Sequence, residues 1–288
     1  MCIRDRYGPS LYDFMRQHSY RPYHPKAVQR ITLKILEAVR YVHSLGMVHT
    51  DLKPENVLLV SDAFVHSDEY SIPQDCSVRL IDFGSTTFIN RHHSAVVSTR
   101  HYRAPEIITG WVEYTKAVDV WAAGCILAEL LGRKPLWPGS DSQHQLELIC
   151  QCVGRPSMDT IDKIQTPEIR EFVAQIPDSR PVGFRALYPQ ANPLACDLLE
   201  DLLVFEPSDR IDVCQALAHP YLEQLHYPDD EPTGPSIPPE AFAFERKRMS
   251  ASELKAEILR EIWHYHWPRH GKRHRRDPSE PFADLSET

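Results

Sequence analysis

From Pro25 to Leu45 the apolar residues Val28, Ile31, Ile35, Val39 and Val42 recur at three- and four-residue steps. That spacing predicts an amphipathic helix with a single buried stripe. Pro25 suits its first turn and Gly46 its end. The run Ala117–Leu131 (AVDVWAAGCILAELL) is apolar almost all round and stops at Gly132. A helix without a polar face belongs in the middle of a large domain. Helical patterns continue through Gln143–Val153, Pro193–Phe205 and Val213–His219. A last helix is predicted from near Ser250, where Ser250 and Glu253 have capping-box spacing ahead of Leu254, Ile258, Leu259 and Ile262. The runs Val57–Val60 and Val78–Ile81 read as brief strands, and the polar stretch between them, Ser61–Ser77, as an inserted loop. Tyr227–Pro239, rich in Pro and acidic residues, reads as an extended surface segment, and the chain beyond Trp267 as disordered. The pattern is mainly α with a few short β-strands and no internal repeat.

Composition narrows the class. At 288 residues, 42% hydrophobic and 25% charged, the chain has the make-up of a globular protein with a substantial core. No apolar run approaches the ~20 residues of a membrane span, and Met1–Arg6 lacks a signal-peptide core. The cysteines at 2, 76, 125, 150, 152, 196 and 214 are odd in number and form no C-x-x-C pair. An intracellular protein, nuclear or cytoplasmic, is expected rather than a disulfide scaffold or zinc site. His92-His93 reads as a solvated loop. A net charge of −8 argues against direct nucleic-acid binding and for basic partners. The basic run Arg269–Arg276 reads as a solvated tail, with a localisation or anion-binding patch as the alternative.

Three motifs then occur in order: His49-Thr50-Asp51-Leu52-Lys53-Pro54-Glu55-Asn56, Asp82-Phe83-Gly84 behind the apolar Leu80-Ile81, and Ala104-Pro105-Glu106. Together they resemble the catalytic loop, metal loop and activation-segment end of eukaryotic-type protein kinases. The resemblance implies ATP-dependent phosphoryl transfer to protein hydroxyls. Asp51 would accept the hydroxyl proton, and Lys53 would steady the transferring phosphate. Asn56 and Asp82 supply the hard oxygens that suit Mg²⁺. Glu106 resembles an acid that pairs with a late arginine, here Arg210 in Pro207-Ser208-Asp209-Arg210. Asp119 resembles the residue that braces the catalytic-loop backbone.

The branch is read from further residues. Gly8–Phe14, His49-Thr50-Asp51 and Val97–Arg103 resemble LAMMER or CLK-type kinases, and the Ser61–Ser77 insertion falls where those kinases carry extra residues. Ala128–Leu136, His144-Gln145-Leu146, Ala216–Gln224 and the last helix resemble mitogen-activated kinases; both branches belong to the CMGC group. Ser94-Ala95-Val96 stands where mitogen-activated kinases carry Thr-x-Tyr, and Thr50 stands where an arginine would grip an activation-loop phosphate. An activation segment held without phosphate is expected; a requirement for phosphorylation of Ser94 or Thr99 would contradict it. The LAMMER signature itself is replaced by Ser142–Leu148. Arg103 and its neighbours imply proline-directed substrates, and the CLK likeness implies Arg/Ser-rich ones. Asp229-Asp230-Glu231 reads as a docking patch for basic peptides or as a solvated turn.

The resemblance runs from about Tyr7 to Trp267. It divides the chain into residues 1–6 outside the family, a large lobe over 7–222, a C-terminal extension packing on it over 223–267, and a basic tail over 268–288. Only 50 residues precede Asp51, and among them is no G-x-G-x-x-G and no V-A-I-K-like strand. The fold expected is therefore a protein-kinase-like large lobe with the small lobe absent, from an N-terminally truncated serine/threonine or dual-specificity kinase. The rival reading is a non-catalytic binding module. The four residues Asp51, Lys53, Asn56 and Asp82 favour the enzyme.

Overall fold

The computed structural model describes residues 7–67, 69–89, 98–111, 115–238, 240, 242 and 247–266. Residues 1–6, His92-His93, Ser94-Ala95-Val96 and the tail over 268–288 lie outside them. Among the described residues are eleven α-helices. They are α1 (Leu11–Gln17), α2 (Pro25–Ser44), α3 (Pro105–Ile108), α4 (Ala117–Gly132), α5 (Ser142–Val153) and α6 (Met158–Asp162). Then follow α7 (Pro167–Gln175), α8 (Phe184–Leu187), α9 (Pro193–Leu202), α10 (Val213–Leu217) and α11 (Ala251–His266). Six short strands pair antiparallel in three two-stranded ribbons. β1 (Met47–Val48) pairs with β6 (Thr87–Phe88), β2 (Val57–Leu59) with β5 (Val78–Leu80), and β3 (Phe64–His66) with β4 (Ser71–Pro73).

The core is built on α4. Every residue from Val118 to Leu130 is buried, which accounts for its lack of a polar face. α4 packs against α2, whose stripe Val28, Ile31, Ile35, Val39 and Val42 is buried, and against α9. Gly124 makes the α9 contact: a Cβ there would stand 2.8 Å from Leu203 Cδ2. Trp121 stacks on Trp137 with ring centroids 5.1 Å apart. The expected stop of α4 at Gly132 is one residue early. Arg133 takes the left-handed cap position (φ 63°) and Gly132 is the last helical residue; its lack of a Cβ leaves room for the Tyr188 ring, which a Cβ would meet at 2.9 Å.

The segment 61–77, expected to be a loop, is a hairpin. β3 and β4 pair with Val65 opposite Ile72, and the Phe64 ring lies against His18 and Phe14 of the α1 region. β4 also bridges to Tyr23, and Tyr70 packs edge-on against His24. The apolar partners that order this hairpin come from about 50 residues earlier, so its polar local pattern does not reveal it. In the C-terminal unit, α11 begins behind the expected capping box: Ser250 N donates to Glu253 Oε2 at 2.8 Å and Glu253 N to Ser250 Oγ at 3.4 Å. No helix among the described residues is long and apolar enough to cross a membrane.

Candidate active site

The β2–β5 ribbon creates the site. Val57 pairs with Leu80, and just beyond the ribbon Ile81 N donates to Asn56 O at 3.0 Å. This register brings the end of the first motif beside the start of the second, so Asn56 and Asp82 emerge at one end of the ribbon. Asp82 is exposed and sits in the left-handed region at φ 66°, ψ 68°.

Asp119 fixes the backbone of the first motif. Its carboxylate, 1% exposed, accepts from His49 N and Thr50 N, both at 2.8 Å, and lies 2.9 Å from His43 Nε2. A buried carboxylate needs such partners. The His49 ring turns toward the second motif: its Nε2 faces Ile81 O at 3.2 Å and its Nδ1 accepts from Asp51 N at 3.3 Å. Those contacts place the ring proton on Nε2. Phe83 packs against the same ring at 5.0 Å.

Asp51 is the centre of the side-chain network. Oδ2 accepts from Lys53 Nζ at 2.7 Å; Oδ1 accepts from Thr99 N and Thr99 Oγ1, both at 2.9 Å. Lys53 Nζ also donates to Thr99 Oγ1 at 3.0 Å. Burial pushes the Asp51 carboxyl up, but hydrogen bonds from Lys53 and Thr99 and the lysine charge outweigh it and hold the group below the ordinary carboxylate range. A carboxylate so held is ionised at neutral pH, the state a proton acceptor requires. Asn56 Nδ2 donates to Asp51 O at 2.9 Å. This commits its nitrogen to the loop and leaves its carbonyl oxygen as a neutral acceptor. With the exposed Asp82 carboxylate, that set has the hard-oxygen chemistry that fits Mg²⁺.

The other residues singled out lie around this centre. Glu106 and Arg210 form a two-bonded pair at 2.9 and 3.0 Å, both side chains essentially inaccessible. Arg103 Nη2 donates to Ser98 O at 2.8 Å, on the segment that carries Thr99. Asp229 and Asp230 are exposed in a 3-10 turn. Glu231 is turned inward, 3% exposed, and paired with Arg40 and with His226 Nε2 at 2.8 Å. Burial and that pairing remove it from a surface patch, which comes down to Asp229 and Asp230.

Sequence reasoning passed over Thr99 as a partner of Asp51 and His43 as a partner of Asp119. Both contacts cross the chain, spanning 48 and 76 residues. The only local signal for Thr99 was its place in the run Val97–Arg103. A buried acid was missed as well. Burial raises the Glu129 carboxyl to about 7 against the hydrogen bond it accepts from Tyr102 Oη at 2.7 Å, and Glu55 adds to the rise.

With these elements in place, comparison with known proteins is direct. The family model described as protein kinase domain matches residues 6–222, and the chain belongs to that family. Among its relatives is the mitogen-activated protein kinase mpkB of Aspergillus fumigatus, 43% identical over 242 residues that cover 81% of this chain and 65% of that protein. The mitogen-activated protein kinase HOG1A of Wallemia ichthyophaga is 38% identical over 256 residues, covering 88% and 66%. Extracellular signal-regulated kinase 1 of Dictyostelium discoideum is 39% identical over 242 residues, covering 83% and 43%. The chain thus spans just under two thirds of the mpkB and HOG1A relatives.

Proposed function

We propose that this chain is the substrate-binding lobe of a serine/threonine protein kinase that transfers the γ-phosphoryl group of ATP to a protein hydroxyl. The observation that carries the reading is the Asp51 carboxylate, held ionised between Lys53 and Thr99. Asp51 takes the proton as the substrate oxygen attacks phosphorus and ADP leaves. Lys53, already 2.7 Å from Asp51, neutralises charge on the transferring group. Asn56 and Asp82 would hold Mg²⁺, which when bound offsets the charge of the phosphates.

Transfer also needs a loop over the phosphates and a lysine–glutamate pair. No G-x-G-x-x-G and no V-A-I-K-like run occurs among the 50 residues before Asp51. The rival reading is a non-catalytic module built on the same lobe. Sequencing the 5′ end of the source transcript separates the two. A frame running into a glycine-rich loop and a V-A-I-K-like lysine is the expected result; a transcript beginning at Met1 supports the module.

The relatives carry mitogen-activated kinase names, whereas the CLK-like reading rests on Gly8–Phe14, His49-Thr50-Asp51, Val97–Arg103 and the Ser61–Ser77 insertion. We infer targets that are Arg/Ser-rich or followed by proline, in the cytoplasm or nucleus. The free thiols of Cys76, Cys125, Cys150, Cys152, Cys196 and Cys214 agree with a reducing compartment. A peptide array preferring acidic flanks would remove both substrate classes. Asp229 and Asp230 are assigned to basic docking peptides; charge reversal of both that leaves every partner's affinity unchanged would remove that role.

A further inference from the structure

Six described non-glycine residues have positive φ, and three of them, Thr50 (φ 70°), Asp82 (φ 66°) and Ser98 (φ 67°), lie on segments tied together through Thr50. A left-handed conformation is a genuine strain for a β-branched residue such as threonine. Such strain persists only where the surroundings over-determine it. Thr50 is 2% exposed, and all its polar groups are engaged. Its N–H is held by Asp119 in α4 at 2.8 Å. Its carbonyl accepts from Ser98 Oγ, one residue before the Thr99 that binds Asp51. Its hydroxyl donates to Ser85 O at 2.8 Å, three residues after Asp82. One small residue therefore joins the buried helix, the Asp82 loop and the segment under Asp51. Apart from the Asp119 carboxylate, every group in these ties is neutral.

We propose that the Thr50 hydroxyl is the positioning group that locks the exit of the Asp82 loop to the Asp51 loop, so that the cation-holding and proton-accepting carboxylates keep their spacing without a phosphate or other added charge. The inference rests on the kinase reading of the same site and names the residue that regulates its assembly. The geometry explains why threonine serves there. An apolar side chain loses the bond to Ser85 O, whereas a hydroxyl on a short side chain makes it at 2.8 Å. Losing this part-buried hydrogen bond corresponds to up to roughly tenfold easier local opening.

The test compares Thr50→Val, which keeps shape and β-branching but loses the hydroxyl, with Thr50→Ser, which keeps the hydroxyl. In the 288-residue chain, amide hydrogen exchange over residues 84–89 is expected to quicken by up to about tenfold in the valine variant and to stay at the wild-type rate in the serine variant. Equal exchange in wild type and Thr50→Val, or equal opening in both variants, overturns the proposal. In the transcript-encoded chain, Thr50→Val is expected to raise the Mg²⁺ concentration for half-maximal transfer by up to about tenfold, with Thr50→Ser close to wild type. A fall in rate at unchanged Mg²⁺ requirement overturns the positioning role while leaving the kinase reading intact. A wild-type chain that transfers no phosphate overturns the kinase reading, and the exchange result then decides whether the tie itself stands.

Discussion

Replacing Arg210 with methionine should unfold the domain well below its normal midpoint. The guanidinium donates to both oxygens of Glu106 at 2.9 and 3.0 Å, and to the carbonyls of Ala117, Val204 and Phe205 at 2.7, 3.0 and 3.3 Å. It also lies 4.9 Å from the centre of the Trp121 ring. Methionine fills much of the volume but leaves a buried carboxylate and three carbonyls without their donor. Breaking a buried ion pair from one side costs about 3–5 kcal/mol, and the orphaned carbonyls bring the loss to about 4–6 kcal/mol after partial relaxation. That is a large part of the ~5–15 kcal/mol that holds a domain together. At roughly 2–4 °C per kcal/mol for a chain of this size, the midpoint should fall by about 10–20 °C. The assay is thermal and urea denaturation of wild type, Arg210→Met, Glu106→Leu and the double variant. Removing both charges should recover at least ~2 kcal/mol over the sum of the single losses. A fall of under ~3 °C for Arg210→Met, or simple additivity in the cycle, would refute the reasoning.

Other expectations follow from the same contacts. Thr99→Val removes a hydroxyl that helps hold the Asp51 carboxyl low, so the Asp51 titration followed by carbon NMR should move upward; an unmoved titration would dismiss the contact. For Glu129, the folded value of about 7 lies above the unfolded value, so the native state binds the extra proton and stability falls as pH rises from about 4.5 to about 7. Glu129→Gln should therefore gain about 2–3 kcal/mol over wild type at pH 8 and little at pH 4, read from urea midpoints; a gain independent of pH would contradict this. Gly124→Ala should cost about 1–3 kcal/mol by pressing on Leu203, and Leu203→Val should restore part of it. Additive losses in that pair would show that the close approach is not the cause.

The elements that were legible carry their cause in local sequence. Val28 to Val42 form a stripe because they face α4, and Ala117 to Leu131 lack a polar face because α2 and α9 cover them. The capping pair Ser250 and Glu253 needs only its own three-residue spacing. Asp51, Lys53, Asn56 and Asp82 stood out by motif, but not the network that sets their state. Thr99 reaches Asp51 across 48 residues and His43 reaches Asp119 across 76, distances at which no periodic pattern speaks. The two-residue strands β1 and β6 are too short to show alternation. Glu231 looks like its exposed neighbours in sequence; only the fold brings Arg40 beside it.

The central claim is that Asp51 accepts the proton of a protein hydroxyl during phosphoryl transfer. It is tested most directly by measuring Mg-ATP-dependent phosphate incorporation into a Ser-containing Arg/Ser-rich peptide by the transcript-encoded chain and its Asp51→Asn variant. Asparagine keeps the shape and, through its single carbonyl oxygen, can accept from Thr99, but its NH2 cannot accept from Lys53 and it cannot take the proton. The expected result is transfer by wild type and a loss of about 10²–10⁴-fold in the variant at unchanged thermal stability. Equal rates in the two chains would contradict the account.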